Sequence, residues 1–218
     1  MKVKWLGHAA FVLTAADNTR LITDPYVPGA YNGAVGYGPI QEAVQGVTVS
    51  HEHADHNGVQ GLPGKPQVIR GKGEFTVGKV KITGVDSYHD NSAGSQRGTN
   101  TIFRFEIDGL VLCHLGDLGH LLPGATAKAL GRVDVLLVPV GGFFTIDATE
   151  AQAVTRQLGP RVVIPMHFKT PKLDFAIAGV DDFLKGQKNV KRIGRSEVEI
   201  VSAQLPKETE TWVLEPAL

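Results

Sequence analysis

Residues 51–56 read His-Glu-His-Ala-Asp-His, and no other stretch restricts this chain so tightly. A hydrophobic core avoids such residues, because buried polar groups need partners. A solvated surface has no reason to gather them. Neutral imidazole and carboxylate are, however, the ligands a divalent ion such as zinc accepts. The preceding run, GVTVS at 46–50, is β-branched and reads as a strand. At its end His51 and His53, two residues apart, can reach one ion together. Asp55 and His56 then turn the other way and can hold a second. Four ligands cannot complete two sites, so the fold must deliver more from distant segments.

Three other strand ends offer them. KVKITGV precedes His89, LVLCHL precedes Asp117, and the apolar run RVVIPM delivers His167. Functional groups commonly stand at such strand ends in α/β proteins. His8, His114 and His120 are the remaining histidines. His8 reads either as a neighbour of the metals or as a hydrogen-bonded structural histidine. His120 reads as a proton donor or as a residue beside the next helix. Arg97 and Asn100, in SQRGTNT, are candidates to bind a substrate anion, with a solvated turn as the alternative.

The rest of the chain supports a layered α/β (α+β) domain. KVKW, AFVLT and RLITD suggest a meander. TIFRFEI alternates and is followed by Asp108-Gly109, a two-residue hairpin signal. VDVLLVPV suits a strand covered on both faces. PGATAKALG, DATEAQAVTRQLG and VDDFLKGQK read as helices. Asp147 and Glu150 have capping-box spacing in the second of these, and Gly159-Pro160 ends it. The strands SEVEIVS and TWVLE follow. The glycine-rich stretch 29–39 reads as a mobile loop that borders the site or simply lies on the surface.

Composition narrows the partners. Lys plus Arg equals Asp plus Glu, 22 against 22, so no basic excess argues for nucleic acid. With 42% hydrophobic and 20% charged residues the chain reads as an ordinary soluble protein. Its single cysteine, Cys113, excludes an internal disulfide and any Cys-rich zinc module, and fits a reducing compartment. No apolar run approaches the roughly 20 residues that span a membrane. The expectation is one domain over 1–218, cytoplasmic, acting on a small molecule, with no nucleic acid or membrane partner. A homo-oligomer is compatible with the sequence.

The His-x-His-x-Asp-His run resembles the signature of the metallo-β-lactamase-fold metal-dependent hydrolases. Asp24-Pro25 after LIT, Gly116-Asp117, and PMHF around His167 resemble further motifs of that superfamily, in the same order. WLGHAAF and VPVGGFFTIDATEA are similar to its small stand-alone branch, which includes ascorbate-phosphate lactonase-like proteins. The resemblance implies a four-layer αβ/βα sandwich with metals at one edge of the sheets. It implies that His51, His53 and His89 hold one ion, that Asp55, His56 and His167 hold the other, and that Asp117 bridges them. His114 is the alternative to His89. Asp24 would orient a ligand histidine by hydrogen bond. The ions would be zinc, with manganese or iron also suited. The expected chemistry is hydrolysis of an ester, lactone or phosphodiester by a metal-bridging hydroxide, which Asp55 orients and deprotonates. A small metallonuclease and a metal-holding scaffold without turnover are the alternatives.

Overall fold

The computed structural model describes residues 1–218. Its strands are β1 (Lys2–Gly7), β2 (Ala10–Thr14), β3 (Arg20–Thr23), β4 (Gly46–Val49), β5 (Gln67–Arg70), β6 (Gly73–Val77) and β7 (Val80–Tyr88). They continue with β8 (Thr99–Ile107), β9 (Leu110–His114), β10 (Val135–Pro139), β11 (Val162–Met166), β12 (Val190–Arg192), β13 (Glu197–Glu199) and β14 (Glu210–Val213). Three helices, α1 (Gly124–Leu130), α2 (Ala148–Leu158) and α3 (Val180–Leu184), complete the set. No helix is long and apolar enough to cross a membrane.

The strands form two mixed sheets. The first has the order β13-β1-β2-β3-β4-β5, the second β12-β14-β11-β10-β9-β8-β7-β6. The first sheet is apolar on both faces, and β2 shows why. Phe11 and Leu13 point to the core between the sheets, with Val3 and Trp5 beside them. Ala10 and Val12, on the other face, join Tyr26, Val35, Tyr37 and Leu173. Successive side chains of a strand alternate faces, so one apolar run serves two layers. In the second sheet β9, β10 and β11 run parallel. They are buried along their whole length, as continuous apolar runs require.

The covering layers are unequal. Helix α1 packs on β7, α2 on β10, and α3 on α2, all on the second sheet. On the first sheet the segments 26–40 and 170–177 stand where the expected four-layer scheme has helices. Their glycines and prolines disfavour helix, but Tyr26, Val35, Tyr37, Ile40, Leu173 and Ile177 supply the same apolar cover. The stretch 29–39, expected to be mobile, is therefore pinned. Gly36 N–H donates to the Lys172 carbonyl at 2.8 Å, and Asp174 N–H to that of Ala34 at 2.8 Å.

Local signals placed most elements correctly. The Asp108-Gly109 turn has both residues at positive φ, 53° and 75°, and joins β8 to β9. Asp147 and Glu150 form the expected capping box on α2. The last expected helix is shorter than VDDFLKGQK suggests, because Gly186 turns the chain at φ 77°.

Candidate metal centre

Every element of the site enters from a strand end. Asp24 follows β3, Ser50 and His51 follow β4, His89 follows β7, Asp117 lies three residues beyond β9, and His167 follows β11. Three of these junctions use one backbone device. His8, Asp24 and His167 each follow a strand directly, with φ of 52°, 39° and 51°. Left-handed backbone costs an ordinary residue of order 1–3 kcal/mol, and such residues gather at functional sites. Here each turns the chain so that its side chain faces the shared centre.

The side chains form two groups around one carboxylate. Ligand-type atoms of His51, His53 and His89 lie within 4.8 Å of one another. So do those of His8, Asp55, His56 and His167. Asp117 stands between the groups. Its Oδ2 is 3.2 Å from Nε2 of both His89 and His167, and its Oδ1 is 3.2 Å from Nε2 of His56. His51 Nε2 approaches Oδ2 at 3.7 Å.

Hydrogen bonds behind the centre set the imidazole tautomers. Ser50 Oγ donates its one hydrogen to Asp24 Oδ2 at 2.5 Å. It therefore accepts from His51 Nδ1–H at 2.9 Å, which leaves a lone pair on His51 Nε2. His56 Nδ1–H donates to Asp24 Oδ2 at 2.9 Å, which turns its Nε2 toward Asp117. Asp24, wholly buried, thus orients two of the expected ligands at once.

The residues fit divalent ions. His56 Nε2 and Asp117 Oδ1 are buried without a hydrogen-bond partner, as are Nδ1 of His8, His89 and His167. Such groups ordinarily find partners. Asp24, Asp55 and Asp117 are buried and pair with histidines alone, never with Lys or Arg. Burial holds His51 down to about 3, with His56 adding to the effect, and also lowers His89. Both are therefore neutral, the ligand form. Burial opposes the charge of His56 too, but the Asp117 and Asp55 carboxylates outweigh it and raise its pKa well above the usual value. The pocket thus carries a surplus of negative charge, which a bound cation would neutralise.

Not every candidate joins the centre. His114 spends both nitrogens on backbone: Nε2–H donates to the Ala9 carbonyl at 2.9 Å, and Nδ1 accepts from Gly116 N–H at 3.1 Å. The geometry therefore favours His89 over His114. Asn100 was a candidate for substrate, but it is buried behind Asp117. Its Oδ1 accepts from Asp117 N–H at 2.9 Å, and its amide donates to Ser87 Oγ and the Leu115 carbonyl. His120 does not line the cavity either, because its ring is held by the backbone of Tyr88 and Leu121. His8 is fully buried and its Nε2–H donates to Asp55 Oδ2 at 2.9 Å, so it holds Asp55 rather than meeting solvent or substrate. Cys113 is a core residue on β9, its thiol pushed by burial to about 12.

The cavity beside the centre encloses about 520 Å³ and reaches His53, Asp55, His89, Asp117 and His167. Its far wall comes from Tyr31, Phe144 and Phe175, which the sequence does not single out as site residues. Tyr31 and Phe175 lie on irregular segments with no periodicity to mark them. Phe144 sits in the stretch FFT at 143–145, whose sequence suits core or rim packing more than substrate stacking; Phe143 beside it is 67% exposed. The one available signal was that the 29–39 loop precedes the histidine cluster.

Close backbone packing holds His89 in place. A Cβ on Gly119 would lie 2.3 Å from the His89 carbonyl carbon and 2.4 Å from Asp90 N. Gly119→Ala is therefore expected to displace His89 without removing any ligand. Metal affinity should fall about tenfold or more, the scale of a lost outer contact. Titration with a chromophoric chelator checks this, and unchanged affinity would contradict it.

Comparison with known proteins identifies the family and the fold. The family profile described as "Beta-lactamase superfamily domain" matches residues 2–167. A Methanoculleus marisnigri protein named "UPF0173 metal-dependent hydrolase" is 31% identical over 195 residues, covering 78% of this chain and 82% of that protein. A Thermotoga maritima crystal structure, described as a candidate zn-dependent hydrolase of the metallo-beta-lactamase superfamily, is 39% identical with a TM-score of 0.79. The match covers 98% of both chains. The short form of human tRNase Z shares the fold alone, at 13% identity and a TM-score of 0.57, over 78% of this chain and 93% of that one.

Proposed function

The chain belongs to the beta-lactamase superfamily and is a metal-dependent hydrolase, and on that premise we propose that it uses two divalent ions to cleave a small ester, lactone or phosphodiester. The observation that carries this reading is Asp117, set within 3.2 Å of histidines from both groups at the floor of an open cavity. His51, His53 and His89 would hold one ion, and Asp55, His56 and His167 the other, with Asp117 shared. Zinc suits this donor set, as do manganese and iron. Such ions supply Lewis acidity and water that ionises near neutral pH.

The chain's own groups do the positioning. Asp55 Oδ2 accepts from His8 Nε2–H, and its Oδ1 accepts from the Tyr31 hydroxyl at 3.2 Å. Burial opposes its ionisation, but His56 and His8 outweigh burial and hold its carboxyl far below the usual range. As a carboxylate at the cavity wall it would orient the attacking water. Tyr31 stays protonated, because burial and the Asp55 carboxylate raise its pKa, and its one O–H is given to Asp55, so it holds that carboxylate in place at the cavity wall. A cavity of about 520 Å³ favours a small molecule over RNA, and its accessible face favours turnover over a scaffold, since structural metal sites close their coordination.

Asp55→Asn tests the role. With the metal content retained, hydrolysis of a broad ester, lactone and phosphodiester panel should fall by about 10²-fold or more, the usual scale for a positioned polar group. Full activity at full metal content would remove Asp55 from the reaction.

A further inference from the structure

The cavity has two chemically distinct walls. One carries the carboxylates and imidazoles. The other is aromatic, with ring centroids 5.6 Å apart for Tyr31 and Phe175 and 5.7 Å apart for Phe144 and Phe175. Arg97 stands where they meet. It is the one Lys or Arg lining this cavity. Its guanidinium lies 5.7 Å from the Phe144 ring centre, and it makes no ion pair or side-chain hydrogen bond. It also borders a polar hollow of about 350 Å³ beyond His53, shared with Arg70 and Thr99.

The loop that carries Arg97 is built, not loose. Both oxygens of Asp90 accept backbone N–H groups: Ser92 at 2.7 Å and Gly94 at 3.0 Å on one, Gln96 at 3.0 Å and Arg97 at 2.8 Å on the other. An arginine laid across an aromatic ring at the mouth of a reactive cavity, with its five donors unspent, is arranged to receive an anion. Asp55 is turned to His8 and Tyr31, and Asp117 to the histidines, so neither satisfies it.

We infer that the substrate is an amphipathic anion: an ester or lactone with an aromatic or alkyl body against Tyr31, Phe144 and Phe175, and a separate carboxylate or phosphate paired with Arg97. This rests on the hydrolase reading above. In the reaction water adds across the acyl–oxygen bond, giving a carboxylate, an alcohol and one proton. Arg97 touches the group that is not cleaved, so it selects the substrate rather than activating it.

The test uses protein purified without chelator, as wild type, Arg97→Gln and Arg97→Lys. Calorimetry measures binding of an inert pair, 4-acetylbenzoate and acetophenone. Steady-state kinetics compares 4-acetoxybenzoate with phenyl acetate. The wild type should bind the anionic ketone about tenfold or more tightly than the neutral one, as a charge-assisted hydrogen bond provides. Arg97→Gln should bring that ratio near one, and Arg97→Lys should keep part of it. For the anionic ester, relative to the neutral one, the loss should appear in KM rather than kcat. No anion preference in the wild type, or one that survives in Arg97→Gln, overturns the inference. An Arg97-dependent binding preference in a protein that cleaves no ester would uphold the anion site and overturn the hydrolase reading instead.

Discussion

Asp117→Ala should lose bound metal and slow hydrolysis by on the order of 10³-fold, roughly 4 kcal/mol of transition-state stabilisation. The Asp117 carboxylate lies between the two ligand groups. Its oxygens approach His56, His89 and His167 at 3.2 Å each. Burial opposes its ionisation, yet His167 and His56 outweigh burial and hold it well below the usual carboxylate range, so it is charged at any working pH. Removing it takes one negative charge from between the two positions where cations would sit. Asp117→Asn separates charge from packing. It keeps the volume and the backbone bond to Asn100, and should still lose metal while melting near the wild type. Mass-spectrometric metal content beside initial rates reads both. An alanine variant with full metal and full rate would place the catalytic centre elsewhere.

Asp24→Ala should give the largest loss of stability, about 3–5 kcal/mol, the cost of breaking a buried charged network by removing one partner. That corresponds to a fall in Tm of roughly 10 °C for a chain of this size. The carboxylate accepts Ser50 N–H at 2.7 Å, Ser50 Oγ–H at 2.5 Å and His56 Nδ1–H at 2.9 Å. Alanine leaves all three donors buried and unpaired. The effect has a pH signature in chelator-treated protein. Burial opposes ionisation of Asp24, but nearby His114 and His56 outweigh it and set its pKa below the ordinary value. Its contribution is therefore complete above about pH 4 and is lost as pH falls through the lower folded value. Denaturant melts from pH 6 downward should show the wild type losing more stability than Asp24→Ala. Parallel losses would contradict this account of Asp24.

The sequence announces the candidate ligands and hides their surroundings, for physical reasons. His51, His53, Asp55 and His56 stand together in the chain, so their chemistry is visible at once. His89, Asp117 and His167 are visible because each follows a run whose apolar or alternating pattern marks a strand. Tyr31, Phe144 and Phe175 come from segments whose geometry depends on tertiary contacts, and no local period betrays them. Asn100 illustrates the opposite error. A polar residue near a metal cluster suggests substrate, but β8 turns it inward to hold the backbone of Asp117. The pairing of the last strands was equally hidden. β13 crosses to the first sheet beside β1, and β14 joins the second beside β11, although the two are neighbours in sequence.

The central claim is that the crowded histidines and aspartates form a two-metal centre. Metal content per chain, measured by mass spectrometry on protein purified without chelator, tests it most directly. The account predicts about two transition-metal ions per chain, falling in His53→Ala. A folded wild type that carries none, and that takes up neither added zinc nor added manganese, would contradict it.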